Sequence, residues 1–407
     1  MWGKHSSTII KADGKGYYAH LPAIFIYHDL NFSFFDEIEN TYGNEHLFYD
    51  YRKTDGENTY NKYFAGTAVL MLPFFAIGHL VTLFSGETVD GYSHWYQLSI
   101  SWAALFYLLA TLLVMRQVLR RFKIRDKIIG LSLLAIVFGT NWYYYILAEP
   151  AMSHVYSVFL ISLFFWQLLN WVKQGSNNHL VYLALLLGLI IWVRPVNGMV
   201  LLAVPLAFHS FYSFRIKVWE LFKKVKLWPI ALIPGLIVFA QLIIYKIQTG
   251  NFLIYSYEEE GFNFLHPEMW KILFSYKKGL FVYTPLLLIA SLFNYFLWKR
   301  NKYRGVYSVL FFLTITYLLS SWWNWYYGGS FSSRAYIEYY IFFLIPLAVG
   351  VNDLRIRTIK YSVVGLIIVL ILFCQFQTYQ YRYMVIHWDN MTKEKYWDVF
   401  LNVDFLK

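Results

Sequence analysis

Ten apolar stretches, each close to the ~20 residues that a helix needs to cross a bilayer, recur between residues 95 and 378: 95–115, 128–147, 155–172, 180–193, 198–213, 229–246, 279–297, 305–323, 336–350 and 360–378. An earlier one, 64–84 ("FAGTAVLMLPFFAIGHLVTLF"), precedes them. A chain built this way has one solution for its backbone: polar groups that cannot reach water must be paired inside helices. The sequence therefore predicts an all-α polytopic membrane protein. Two stretches, 180–193 and 198–213, are short and separated only by "RPVN", so Pro195 predicts a broken pair dipping to one face.

The charges then set an orientation. Of the 407 residues 58% are hydrophobic and only 14% charged, with a net charge of +11. That excess is not a nucleic-acid footprint, because the basic residues fall between apolar runs. Nineteen Lys and Arg residues lie in 116–127 ("RQVLRRFKIRDK"), 173–179, 215–226, 298–304 and 352–360, against five in the alternate loops. The first set is expected to be cytoplasmic and the second extracytoplasmic. Cys374, the one cysteine, excludes an intramolecular disulfide and any Cys-based metal site.

On the basic-poor face stands "SSWWNWYYGGSFSSRAYIEYY", residues 320–340. Arg334 there is either a snorkelling charge or a ligand for an anion, since an arginine at membrane depth marks a functional site and its planar fork suits phosphate. Gly328, Gly329, Ser330, Ser332 and Ser333 would supply a donor-rich loop around it. Trp322, Trp323 and Trp325 are an interfacial belt or a wall on which a ligand stacks. Arg194 has the same two readings, beside Pro195.

Several segments, taken in order, resemble the GT-C-type integral membrane glycosyltransferases, in the branch of dolichyl-phosphate-mannose-protein mannosyltransferase-like and RgtA/B/C/D-like enzymes. They are "DGKGYYAHLPAIF" (13–25), "NKYFAGTAVLMLPFF" (61–75), "AEPAMSHVYSVF" (148–159), "VRPVNG" (193–198) and "GGSFSSRAY" (328–336). The resemblance implies a GT-C-type bundle of about 10 transmembrane helices with extracytoplasmic juxtamembrane helices and loops, in a bacterial inner membrane. It further implies that 1–63 is a first extracytoplasmic loop, with a helix before Met1 carrying the chain across. Residues 64–94 would be a juxtamembrane helix and loop, 95–378 the bundle with its long loop 247–278, and 379–407 an extracytoplasmic tail.

The resemblance also implies a reaction: a sugar passes from a polyprenyl-phosphate donor to a hydroxyl on a glycan, lipid or protein, with inversion. This chemistry needs a base for the hydroxyl and cations for the departing phosphate. Asp13 is the implied base, although Asp13-Gly14 is also an ordinary turn pair. Glu149, before Pro150, is either a helix-entry acid or a second catalytic acid that positions the acceptor or contributes to a cation site, with His154 beyond it. Lys62, Arg194 and Arg334 are the candidate phosphate ligands, and His154 and His266 candidate substrate contacts. No cofactor is assigned. A divalent metal stays open, because some relatives carry two adjacent acids where this sequence has Asp13 alone.

In loop 247–278, Glu258, Glu259 and Glu260 read as solvated surface, and "HPEMWKILFS" as a proline-started amphipathic helix on the membrane. With the N-terminal segment this loop would form a lid over a lipid-facing groove. No phosphate loop, dinucleotide fingerprint or nucleic-acid partner is indicated. The alternative to an enzyme is a non-catalytic transporter or flippase of a lipid-linked glycan, for which the broken 180–213 pair would also serve.

Overall fold

The computed structural model describes residues 9–43 and 48–403. Helices α1 (Asp13–Phe25) and α2 (Phe35–Tyr42) are followed by a hairpin, β1 (Arg52–Asp55) and β2 (Asn58–Asn61), and then by α3 (Gly66–Ser85) and α4 (His94–Arg121). Helices α5 (Asp126–Phe138), α6 (Trp142–Ala148), α7 (Ser153–Gln174) and α8 (Asn177–Val193) lead into a 3-10 segment, Pro195–Ala207. Beyond it lie α9 (Phe211–Lys223), a 3-10 turn at Val225–Leu232, and α10 (Ile233–Thr249). The second half holds α11 (Met269–Phe274), α12 (Leu280–Tyr283), α13 (Pro285–Leu292), α14 (Asn294–Arg300), α15 (Lys302–Ser320), a 3-10 entry at Arg334–Tyr339, α16 (Tyr340–Asp353), α17 (Arg357–Arg382) and α18 (Lys393–Asp398). The chain is thus an all-helical polytopic protein apart from the hairpin, which the apolar pattern gave no reason to expect.

Seven helices among the described residues are long and apolar enough to cross a membrane, or nine if each of two bent pairs is one span, against the ten expected. The differences have local causes. The 279–297 stretch is cut at Thr284, whose φ of −130° leaves the helical region, and Pro285 restarts the chain as the first residue of α13. α8 has 17 residues and falls short of a full span. The 64–84 stretch forms a helix of 20 residues that is itself long and apolar enough to cross.

The bent pairs place candidate site residues. α5 and α6 meet at 62°. Thr140 Oγ1 donates to the Ile136 carbonyl (2.6 Å) and accepts from the Trp142 N–H (3.3 Å), which satisfies the backbone where the helix breaks. α6 therefore leaves the line of α5 and delivers Tyr144 and Glu149 to a cleft. The second pair, Pro195–Ala207 with α9, bends by 117°. Ser210 and Ser213 cap each other's backbone at that corner.

The loops sort into two ends. Arg300 binds Asp353 and the Phe122 carbonyl, Arg125 the Asn352 carbonyl, Arg304 the Phe208 carbonyl, and Arg121 the Asn170 side chain. These contacts gather the basic loops together. α4 runs from His94, on the cleft, to Arg121, in that basic cluster, so the cleft occupies the other end. Burial follows the same logic: the span Arg334–Asp353 is 94% buried and forms the core, whereas Val225–Thr249 (6%) and α17 (11%) present their apolar surface outward.

Candidate functional site

A cleft of about 1670 Å³ opens at the end away from the basic loops. It exceeds the roughly 300–1,000 Å³ of an ordinary small-molecule pocket. Asp13, Lys62, Glu149, Arg194 and Arg334 all line it, although they come from five separate segments.

Each of the three expected cations is already paired. Arg334 Nη2 donates to Asp13 Oδ2 at 2.7 Å. Arg194 Nη1 donates to Glu338 Oε1 at 2.6 Å, and Lys62 Nζ to Glu260 Oε1 at 2.6 Å. The Asp13 side chain is 21% exposed and Arg334 12%, so the pair sits at the cleft wall rather than in bulk water. Burial alone would raise the Asp13 carboxyl, but the Arg334 guanidinium and a Tyr63 hydroxyl outweigh it and hold the group below its usual value. Asp13 stands at the start of α1, where the helix dipole favours an anion as well.

Glu338 is the residue that the apolar pattern concealed. It is 1% exposed and joins two expected residues, Arg194 and His154, whose Nδ1 lies 3.1 Å from Oε1. His154 and Arg194 are 3.4 Å apart. His154 therefore stands behind Arg194 and does not line the cleft. The signal was a single acid two residues inside the run 336–350, where an ionisable side chain is expensive unless paired.

Glu149 is 8% exposed. Its Oε1 accepts from the Tyr144 hydroxyl at 3.0 Å, while its Oε2 is buried without a hydrogen-bond partner. Glu149 lines the cleft, so this unpaired carboxylate oxygen lies buried at the cleft wall, an uncommon state for a polar atom.

Other expected contacts are arranged differently. His266 is exposed and does not line the cleft. Ser330, Ser332 and Ser333 are buried and turned inward: Ser330 Oγ donates to the Ser332 carbonyl (3.0 Å) and Ser333 Oγ to the Ile272 carbonyl (3.4 Å). Only Gly328 and Gly329 of that loop face the cleft. Trp322 and Trp323 also line it, whereas Trp325 packs on the core. Glu258 and Glu260 are not merely solvated; they pair with Lys53 (2.8 Å) in the hairpin and with Lys62 just after it, tying this N-terminal segment to loop 247–278.

Lys278 was not anticipated either. It is 1% exposed, and its ammonium donates to the carbonyls of Ser330 and Trp388. Burial pushes its pKa down to about 7. Among the described residues no group of three or more His, Cys, Asp or Glu side chains is placed to hold a metal ion.

No protein-family model matches the sequence, and comparison with curated proteins returns no match.

Proposed function

We propose that this membrane-embedded chain is a GT-C-type glycosyltransferase that moves a sugar from a polyprenyl-phosphate donor to a hydroxyl acceptor on a glycan, a lipid or a protein. Under this reading the cleft lies on the extracytoplasmic face, residues 9–43 and 48–63 belong to the first loop there, and 64–84 packs at that surface. The basic loops then stay cytoplasmic, in keeping with the distribution of Lys and Arg.

The observation that carries the proposal is the Asp13–Arg334 pair in a cleft large enough for two substrates. The acceptor hydroxyl gives its proton to Asp13 as its oxygen bonds to the anomeric carbon. The bond from that carbon to the phosphate oxygen breaks, the electron pair leaves with the phosphate, and the carrier departs as polyprenyl phosphate. Arg334 and Arg194 stabilise the charge on that leaving group. Glu149 Oε2 accepts a second substrate hydroxyl and fixes its position.

In the free protein Arg334 neutralises the base. A donor phosphate competes for the guanidinium, and Asp13 recovers basicity as its partner turns away. Donor binding therefore prepares the base for the acceptor.

Binding is tested with undecaprenyl phosphate added to the protein in nanodiscs. A ligand that binds only the folded protein raises its melting temperature. The wild type is expected to be stabilised, and Arg334→Ala and Arg194→Ala to lose most of that shift. No shift in the wild type would contradict the donor assignment.

A further inference from the structure

Trp388 is half exposed, yet its position is fixed from three sides. A Cβ on Gly329 would fall 2.7 Å from its Cε3 atom, so the indole rests directly on glycine backbone. Its carbonyl accepts from the buried Lys278 ammonium, which binds the Ser330 carbonyl at the same time. The turn that follows is held by Lys277, whose Nζ lies 3.8 Å from Asp389 Oδ1.

The ring beside it is equally ordered. His387 lies nearly parallel to Trp388, with centroids 5.9 Å apart and an interplanar angle of 19°. Its Nδ1 accepts the N–H groups of Asp389 (3.1 Å) and Asn390 (2.9 Å), which leaves the ring proton on Nε2 as a donor. Both side chains line the cleft. An exposed aromatic side chain serving only as an interfacial anchor has no need of a buried lysine and a glycine seat.

We propose that Trp388 is the platform on which a sugar ring of the substrate stacks, with His387 Nε2 donating to a ring-edge hydroxyl and with Lys278 and Gly329 as positioning residues. A pyranose has an apolar face of C–H bonds and a rim of hydroxyls. The electron-rich face of an indole matches the first, and an adjacent donor matches the second. The inference rests on the glycosyltransferase reading and extends it, since the sugar is either the donor's or one of the acceptor's.

The test uses the full-length protein in nanodiscs and three probes: undecaprenyl-phosphate-mannose, undecaprenyl phosphate without a sugar, and maltotriose as a soluble oligosaccharide. Affinities are compared for the wild type, Trp388→Ala, Trp388→Phe and Gly329→Ala. The last keeps the indole and only displaces it, which guards against misfolding of the alanine variant at 388.

A loss of about tenfold for the sugar-bearing lipid alone in Trp388→Ala and Gly329→Ala, with Trp388→Phe largely retained, assigns the platform to the donor sugar. The same loss for maltotriose, with both lipids unchanged, assigns it to the acceptor. Unchanged affinity for every probe, or an equal loss for the sugar-bearing and sugarless lipids, overturns the platform while leaving the donor assignment intact. Should the wild type bind maltotriose through Trp388 but neither lipid, the platform stands and the glycosyltransferase reading fails. No binding of any probe to the wild type overturns both.

Discussion

Arg334 and Asp13 are separated by 321 positions in the sequence and by 2.7 Å in space. One contact thus joins the start of α1 to the first residue of the most buried span. It also means that the strongest candidate base and the strongest candidate phosphate ligand occupy each other in the free protein.

A consequence concerns carrier binding. Asp13→Asn removes the internal anion that competes for Arg334, so undecaprenyl phosphate should bind about tenfold or more tightly to this variant than to the wild type, as expected when a charge-assisted bond of ~1.5–3 kcal/mol no longer opposes it. Arg334→Ala should weaken binding by a similar factor. Calorimetric titration in nanodiscs measures both. Weaker binding in Asp13→Asn would mean that the carboxylate helps to hold the carrier instead of excluding it.

Acid should separate the same two proteins. Because the folded Asp13 carboxyl titrates below its ordinary value, its stabilisation is complete above the unfolded pKa of about 3.9 and is lost as pH falls through the folded value. The melting-temperature gap between wild type and Asp13→Asn should stay level from pH 7 to about 4 and shrink below that. A gap that closes between pH 7 and 5 would show a carboxyl titrating far higher than this ion pair allows.

Glu338 offers a test of the layer behind the cleft. Removing a buried partner leaves Arg194 uncompensated, so Glu338→Gln should cost ~3–5 kcal/mol. Replacing both, as Glu338→Leu with Arg194→Met, should cost less than the sum of the single changes, because no buried charge is then left alone. Denaturant unfolding of the four proteins gives the coupling energy directly, and additivity would remove the pair from the account.

How much of this was legible beforehand follows from the kind of signal each feature carries. Apolar length and the clustering of Lys and Arg reveal helices and their two ends, because both obey the bilayer itself. Glu149, Arg194 and Arg334 stood out as scarce charged residues in basic-poor loops, whereas Asp13 and Lys62 were singled out by the family resemblance; all five line one cleft. Their partners were not. Glu338 sits inside an apolar run, Lys278 ends a loop where a lysine is unremarkable, and Trp388 is one of 16 tryptophans. Pairing and burial arise from tertiary packing, which local pattern does not encode. The inward turn of Ser330, Ser332 and Ser333 was hidden for the same reason.

Packing between α3 and α8 provides a stability prediction independent of function. A Cβ at Gly66 would stand 2.4 Å from the Trp192 carbonyl carbon and 2.5 Å from the Val193 nitrogen, backbone atoms that cannot swing aside. Gly66→Ala should destabilise by ~1–3 kcal/mol. Gly235→Ala, in α10, meets nothing within 4 Å and should be neutral or stabilising by up to about 1 kcal/mol. Thermal unfolding should therefore show a lowered melting temperature for Gly66→Ala and an unchanged or raised one for Gly235→Ala.

The most direct measurement is transfer of radiolabelled sugar from polyprenyl-phosphate donors to acceptors in native membranes, comparing wild type with Asp13→Asn at equal protein level. The account predicts labelled acceptor with the wild type and none above background with the variant, despite its tighter grip on the carrier. Equal transfer by both would remove Asp13 as the base, and carrier binding without transfer by the wild type would point instead to movement of a lipid-linked glycan.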